Sequence, residues 1–262
     1  MSSIKLKDRI NSYQELSDYK LLPRVPLIIY INGRSFSKAT ELLDKPHCNK
    51  LSECLLSTTL RLCNEVDGAI FAYQFNDEII LIVRNDQNTD TAPWHDNKLQ
   101  SICSATSSIA TLHFNNCAKA IELNLVGEPI FRSHVFVVPN ILEAINTLIY
   151  KQQQNFYSSM QFACFYELLK KYDKHHIKEM LNGLSVDEKN DILYQECEID
   201  FNSYHSSFRR GSACYKVPKI IKDGTMKNKW FINSDLPIFT QNQSFLSNIA
   251  KNGSDIFRST GL

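Results

Sequence analysis

The sequence lacks any apolar run long enough to span a membrane, and its N-terminus carries no apolar leader core. Both absences place the protein inside the cell, in the cytoplasm, with no membrane partner expected. None of its eight cysteines falls in a C-x-x-C pair, and its seven histidines show none of the usual ligand spacings. That argues against zinc. Cys54, Cys103 and Cys117 instead fall on apolar helix faces, as reduced thiols acting as small hydrophobes. A strong charge of either sign is also missing: the formal net charge is +1. Any RNA surface must therefore be a patch on a balanced protein. There is no internal repeat, and Gln152-Gln-Gln154 is too short to be a low-complexity tract. What remains is an ordinary globular composition, 43% apolar and 22% charged over 262 residues, with ample length for a core.

The most informative stretch runs from Ala69 to Val83. Two apolar runs, Ala69–Tyr73 and Ile79–Val83, flank Gln74-Phe75-Asn76-Asp77-Glu78. The pattern predicts a hairpin buried on at least one face. Two adjacent carboxylates at the mouth of an apolar sheet are costly unless something compensates them, and a divalent cation would. A lone hairpin of this kind would read as a solvated tip. Here it follows the apolar run Val25–Ile31, which breaks into Asn32-Gly33-Arg34-Ser35-Phe36. Polar groups just past a strand end are where open α/β sheets place ligands.

Leu51, Cys54, Leu55, Thr58 and Leu62 repeat at helical spacing, predicting a helix over about 47–66. A second, from about 95 to 122, is marked by Leu99, Ile102, Thr106, Ala110, Phe114 and their neighbours. Asp96 is placed to favour its N-terminus. A fourth strand follows from Pro129 and closes at Pro139. The order is that of a ferredoxin-like β-α-β-β-α-β unit. The fold class is thus α/β (α+β): a polymerase- or cyclase-type palm over residues 1–140, with a short helical leader.

Residues 141–240 read as a helical and β-hairpin extension. Helical spacing begins at Leu142, Ile145 and Leu148 and resumes at Phe162–Leu169, and Ser185-x-x-Glu188 is a capping box. Arg209, Arg210, Lys216, Lys219, Lys222, Lys227 and Lys229 stand against one acid, Asp223, whose Asp223-Gly224 pair signals a turn. A basic hairpin interleaved with Tyr215 and Trp230 suits phosphate contact and base stacking. An edge hairpin kept soluble by lysines is the structural alternative. The tail, 241–262, has few apolar anchors and is expected to be poorly ordered.

Ile31-Asn-Gly-Arg-Ser-Phe36, Lys45-Pro46, Tyr73 to Glu78, Asp96-Asn97 and Arg209-Arg-Gly-Ser-Ala-Cys-Tyr215 together resemble the tRNA-histidine guanylyltransferase family. The likeness spans about residues 5–240 and is nearest the bacterial-type guanylyltransferase-like branch. It implies a homo-tetrameric nucleotidyltransferase that adds nucleotides to the 5′ end of tRNA, in the 3′-to-5′ direction. GTP and ATP would be substrates, and two Mg²⁺ ions would sit on the palm. Asp77 is implied as the metal-bridging carboxylate, Glu78 as its essential neighbour and the Gly33 carbonyl as a further ligand. Lys45 and Arg34 would meet the nucleotide phosphates. Ser35, Phe36, Asn76, Asp96 and Asn97 would complete the nucleotide site, and Arg209, Arg210, Lys216 and Lys219 would contact RNA.

The chain also departs from that family. Asn32 stands where the family carries a metal-binding aspartate, keeping the catalytic position but losing its charge. Asn76 replaces a small serine, Ser101 a lysine, and Gln154 an aspartate after the stretch matched by Tyr150-Lys-Gln152. Arg132 and His134 occupy positions of Asp and Arg. Phe156-Tyr-Ser-Ser159 lacks the eukaryotic tRNA-histidine signature, which favours a broader tRNA-repair role. The chain is thus an active 5′-end nucleotidyltransferase, or a palm that binds tRNA and nucleotide without turnover, or a regulatory subunit. Asn32-Gly33 is also a pair prone to deamidation.

Overall fold

The structure is a computed structural model that describes residues 5–87, 90, 92–220 and 225–252. Its centre is a six-stranded antiparallel sheet in the order β4-β1-β3-β2-β5-β6. The strands are β1 (Leu27–Arg34), β2 (Ala69–Phe75), β3 (Glu78–Val83), β4 (Ile130–Val137), β5 (Ser212–Ile220) and β6 (Met226–Asn233). The first four strands, with α3 (Asn49–Glu65) and α4 (Leu99–Ala120), form the ferredoxin-like unit that the sequence order implies.

Alternation along the strands divides the core. Leu27, Ile29, Ile31, Ile79 and Leu81 face one cluster with Leu55, Leu62, Ile102 and Phe114 of α3 and α4. Ile28, Ile80, Ile82, Phe71 and Tyr215 face a second, with Ile145 and Leu148 of α5 (Ile141–Leu168) and Leu246 and Ile249 of α9 (Gln243–Asn252). Because both faces are covered, β1 and β3 read as continuous apolar runs rather than as alternating ones.

α5 is one helix of 28 residues, where the sequence spacing implied two segments. Its middle, Gln152, is buried and staples the C-terminal part of the chain. The side chain donates to the Arg210 and Pro237 carbonyls at 3.4 and 3.0 Å and accepts from Phe239 N–H at 2.7 Å. The far half of α5 packs with α6 (Lys174–Leu181), α7 (Val186–Cys197) and Phe201 and Phe208 in a third cluster. α7 begins at the capping box read from Ser185 and Glu188. Phe208 lies on the short α8 (Ser206–Arg210).

The short leader helix expected before the first strand is α1 (Leu6–Glu15), and none of its residues is buried. Two expectations need correction. The chain from 241 is not loose throughout: Leu246, Ile249 and Ala250 are buried, and Arg84 donates to the Ala250 carbonyl at 2.6 Å. Its last ten residues lie outside those described, as do Lys222 and the Asp223-Gly224 turn. Asp96 does not cap α4. That helix starts at Leu99, after a 3₁₀ turn in which His95, Asp96 and Asn97 all have positive φ. Among the described residues, no helix is long and apolar enough to cross a membrane.

Candidate active site

The β2–β3 turn is tighter than the sequence reading. Phe75 pairs with Glu78, leaving Asn76 and Asp77 as a two-residue loop, with Asn76 in the left-handed region at φ 47°. Asparagine tolerates that conformation better than most side chains. The loop lies beside the end of β1, where Gly33 N–H donates to the Asp77 carbonyl at 3.2 Å. The chain then turns through Ser35 (φ 53°) into the short helix α2 (Phe36–Ala39). Gly33 must be a glycine, because a Cβ there would lie 2.4 Å from the Phe36 ring, which is itself packed on Phe114 and Phe131.

Beside this turn is a cavity of about 420 Å³. It brings together Gly33, Ser35, Phe36, Lys45, Asn76 and Asp77. That volume suits a ligand of nucleotide size. Lys45 donates to Thr40 at 3.3 Å and lies 5.8 Å from the centroid of the Tyr166 ring. Partial burial lowers the Lys45 pKa. Its ammonium is thus poorly solvated, a state that favours an incoming anion.

Asp77 carries the clearest electrostatic signal. Burial pushes its carboxyl up to about 6, the nearby Glu78 charge adds to this, and backbone N–H groups of Asp77 and Gly33 oppose it. Glu78, one residue on, belongs to the opposite side. It accepts the Tyr30 hydroxyl and pairs with Lys151 of α5, its Oε2 3.2 Å from the ammonium. Asn32 is half-buried and lies in register opposite Glu78 on β3 and Arg132 on β4.

The two Mg²⁺ ions implied by the resemblance can be tested against this donor set. Among the described residues, no group of three or more Asp, Glu, His or Cys side chains is arranged to hold a metal. Asp77 with Gly33 offers one carboxylate and one backbone carbonyl, which suits a single Mg²⁺ completed by water and phosphate oxygens. Glu78 has both oxygens engaged, and Asn32 brings no charge. The residues fit one cation and not the pair.

The remaining site residues divide. Arg34 is exposed at the end of β1, near the turn but not lining the cavity. Asp96 and Asn97 are not brought to Asp77. Asn97 is buried beside Asn85, past the far end of β3, and Asp96 pairs with Lys20. Arg209 and Arg210 turn inward. Arg209 donates to the Tyr204 carbonyl at 2.9 Å, and Arg210 pairs with Asp235 at 3.1 Å. Tyr215 is fully buried and stacks on Phe71 at 6.0 Å, so it cannot stack on a base. Lys216 lies 5.0 Å from the centroid of the Trp230 ring, and Lys219 is exposed near the end of β5.

Sequence reasoning missed the cavity's other wall. Phe162 and Tyr166 of α5, with Ser207 and Phe208 of α8, close it from more than eighty residues downstream of Asp77. His47 lines it too, with its ring 5.4 Å from that of Phe208 and its pKa lowered by burial. The helical spacing of Phe162 and Tyr166 was legible, but nothing local shows which face of α5 meets the palm.

A palm sheet with a carboxylate-bearing hairpin beside a nucleotide-sized cavity defines a palm-type nucleotidyltransferase. The family model for tRNAHis guanylyltransferase matches residues 7–139, and that for the Thg1 C-terminal domain matches residues 147–258. The chain belongs to the tRNA(His) guanylyltransferase family, whose members are nucleotidyltransferases of tRNA processing. It is 26% identical over 204 residues to a probable tRNA(His) guanylyltransferase of Dictyostelium discoideum, covering 76% of this chain and 78% of that one. Its fold matches a bacterial tRNA(His) guanylyltransferase-like protein solved with ATP, with a TM-score of 0.81 at 23% identity over 94% of this chain and 99% of that one. A bacterial protein of the same description solved with GTP gives 0.75 at 22% identity, over 94% and 98% of the two chains.

Proposed function

We propose that this chain transfers a nucleotide from a nucleoside triphosphate to the 5′ end of tRNA, with ATP and GTP as substrates. The observation that carries this is the cavity beside the β2–β3 turn, where Asp77, Gly33 and Lys45 converge within a nucleotide-sized space. Aromatic and apolar groups, among them Phe162, Tyr166 and Phe208, wall the space and keep water from the base and ribose. Lys45 meets the triphosphate, while Arg34 at the strand end stands where outlying phosphate oxygens or the RNA terminus would pass. Asp77 and the Gly33 carbonyl would hold Mg²⁺, which would supply neutralisation of phosphate charge. The backbone contact between Gly33 and Asp77 fixes these two donors relative to one another.

The RNA would run from this site toward the β5–β6 hairpin, whose outer half carries Lys219, Lys227 and Lys229. The reading includes a homo-tetramer. The exposed apolar row Leu6, Ile10, Tyr13 and Leu16 on and just after α1 offers surface to a second copy. Asn32 favours a second reading, a palm that binds nucleotide and tRNA without turnover, because it removes a carboxylate beside the turn.

Purified protein mixed with labelled GTP or ATP, Mg²⁺ and 5′-truncated tRNA separates the two. Addition of label to the tRNA supports transfer. Binding of both ligands without addition supports the second reading, and binding of neither ligand sinks both.

A further inference from the structure

The surroundings of Asn32 carry a charge pattern opposite to that of a two-ion site. Across β3, β1 and β4, Glu78 lies opposite Asn32, and Asn32 opposite Arg132. Lys151 reaches this row from α5, with its ammonium 3.2 Å from Glu78 Oε2 and 4.4 Å from the centroid of the Tyr30 ring. The Tyr30 hydroxyl donates to Glu78 Oε1. Both oxygens of Glu78 are thus taken, and the row holds one carboxylate against two cations.

A hard divalent ion is held largely by carboxylate charge and oxygen count, and is repelled by an ammonium at contact distance. To bind here it would have to displace Lys151 from Glu78 and from the Tyr30 ring. It would then sit beside a guanidinium with only the neutral Asn32 amide in exchange. Asp77 opens instead onto the cavity, where Lys45 bonds Thr40 rather than Asp77.

We infer that the site takes one divalent cation, on Asp77 and Gly33, and that the Lys151 ammonium, held on Glu78, stands where a second ion would otherwise bind. The inference rests on reading the Asp77 cavity as a triphosphate site. It assigns Lys151 to fixed charge compensation, so the charge a second metal would supply is built into α5.

The probe is Mn²⁺ counted per chain by electron paramagnetic resonance, using the full chain and saturating GTP. The native protein is expected to bind one ion, and Asp77→Asn to lose it. Asn32→Asp combined with Lys151→Gln is expected to bind two. Asn32→Asp with Lys151→Arg, which keeps the positive charge, is expected to stay at one.

Two ions in the native protein would overturn the inference, as would one ion in the Lys151→Gln double variant. GTP binding measured on the same samples by equilibrium dialysis separates the failures. GTP bound alongside two ions in the native protein overturns the single-ion inference and leaves the proposed function standing. Failure to bind GTP at all overturns both.

Discussion

Asp77 and Glu78 are neighbours in the chain and opposites in their surroundings. Asp77 sits in the turn and opens onto the cavity, with burial lifting its pKa to about 6. Glu78 is the first residue of β3 and turns to the α5 side, where Tyr30 and Lys151 satisfy it. One carboxylate is left electrostatically open and the other is closed. The difference shows how a single hairpin divides its charge. A ligand site needs a group whose charge the protein has not already compensated, and the strand period of two puts the adjacent residue on the other face.

Asp77→Asn is the substitution that breaks this comparison most severely. It should reduce nucleotide addition at least about a hundredfold, since it removes several kcal/mol of charge stabilisation. Stability should move the other way. The folded pKa of Asp77 lies above its unfolded value, so the native state holds the extra proton between roughly pH 4 and 6. The contribution of this group to stability is therefore greatest below that window and is lost as pH rises through it. At pH 7.5 the asparagine variant should be more stable by roughly 1–3 kcal/mol, and at pH 4 the gain should vanish. Urea denaturation at the two pH values checks this, and a variant less stable at pH 7.5 would refute the strained-carboxylate reading.

Gly33→Ala tests the backbone that holds the open side. Its Cβ would meet the Phe36 ring at 2.4 Å, and that ring is locked against Phe114 and Phe131. Overpacking of this kind costs about 1–3 kcal/mol, read as a lower urea midpoint. Activity should fall as well, because relief of the clash moves Gly33 away from Asp77. An unchanged midpoint would mean that Phe36 can yield.

Much of the site was legible because it is local. The two apolar runs around Asp77, and the strand that breaks at Gly33, carry period and punctuation in their own residues. The hairpin tip was read too wide because Gln74 and Phe75 look like loop beside Asn76, yet both are buried. Asp96 and Asn97 were drawn to the site by resemblance alone, whereas β3 carries the chain away from Asp77 before the turn that contains them. Tyr215 and Trp230 look like stacking platforms in a basic hairpin. Pairing of β5 with β2 instead sinks Tyr215 into the sheet's α5-side core. Such long-range pairing has no local signature, and the same is true of Phe162 and Tyr166 at the cavity wall.

Glu78→Gln probes the closed side, with a smaller expected effect. It removes the partner of a half-buried ammonium, but Lys151 keeps the Tyr30 ring and partial access to water. The cost should be about 1 kcal/mol or less, in the range of a partly exposed pair. Loss of activity should be well below that of Asp77→Asn. Equal losses from the two variants in the addition assay would show that Asp77 and Glu78 act as one unit.

The smallest effect is expected at Asn32. An Asn-Gly pair deamidates when the following backbone nitrogen attacks the side-chain amide, which needs a mobile backbone and an unengaged N–H. Asn32 and Gly33 lie within β1, paired to β4 on one side, and the Gly33 N–H is bonded to the Asp77 carbonyl. The geometry for attack is closed in the folded chain. Peptide mass spectrometry of folded protein held for days at pH 7.5 should find asparagine at 32, while denatured protein should gain the 1 Da of aspartate or isoaspartate. If the folded sample converts as fast as the denatured one, the end of β1 opens readily. The charge missing at position 32 would then be restored with age, supplying the carboxylate that Asn32→Asp introduces by design.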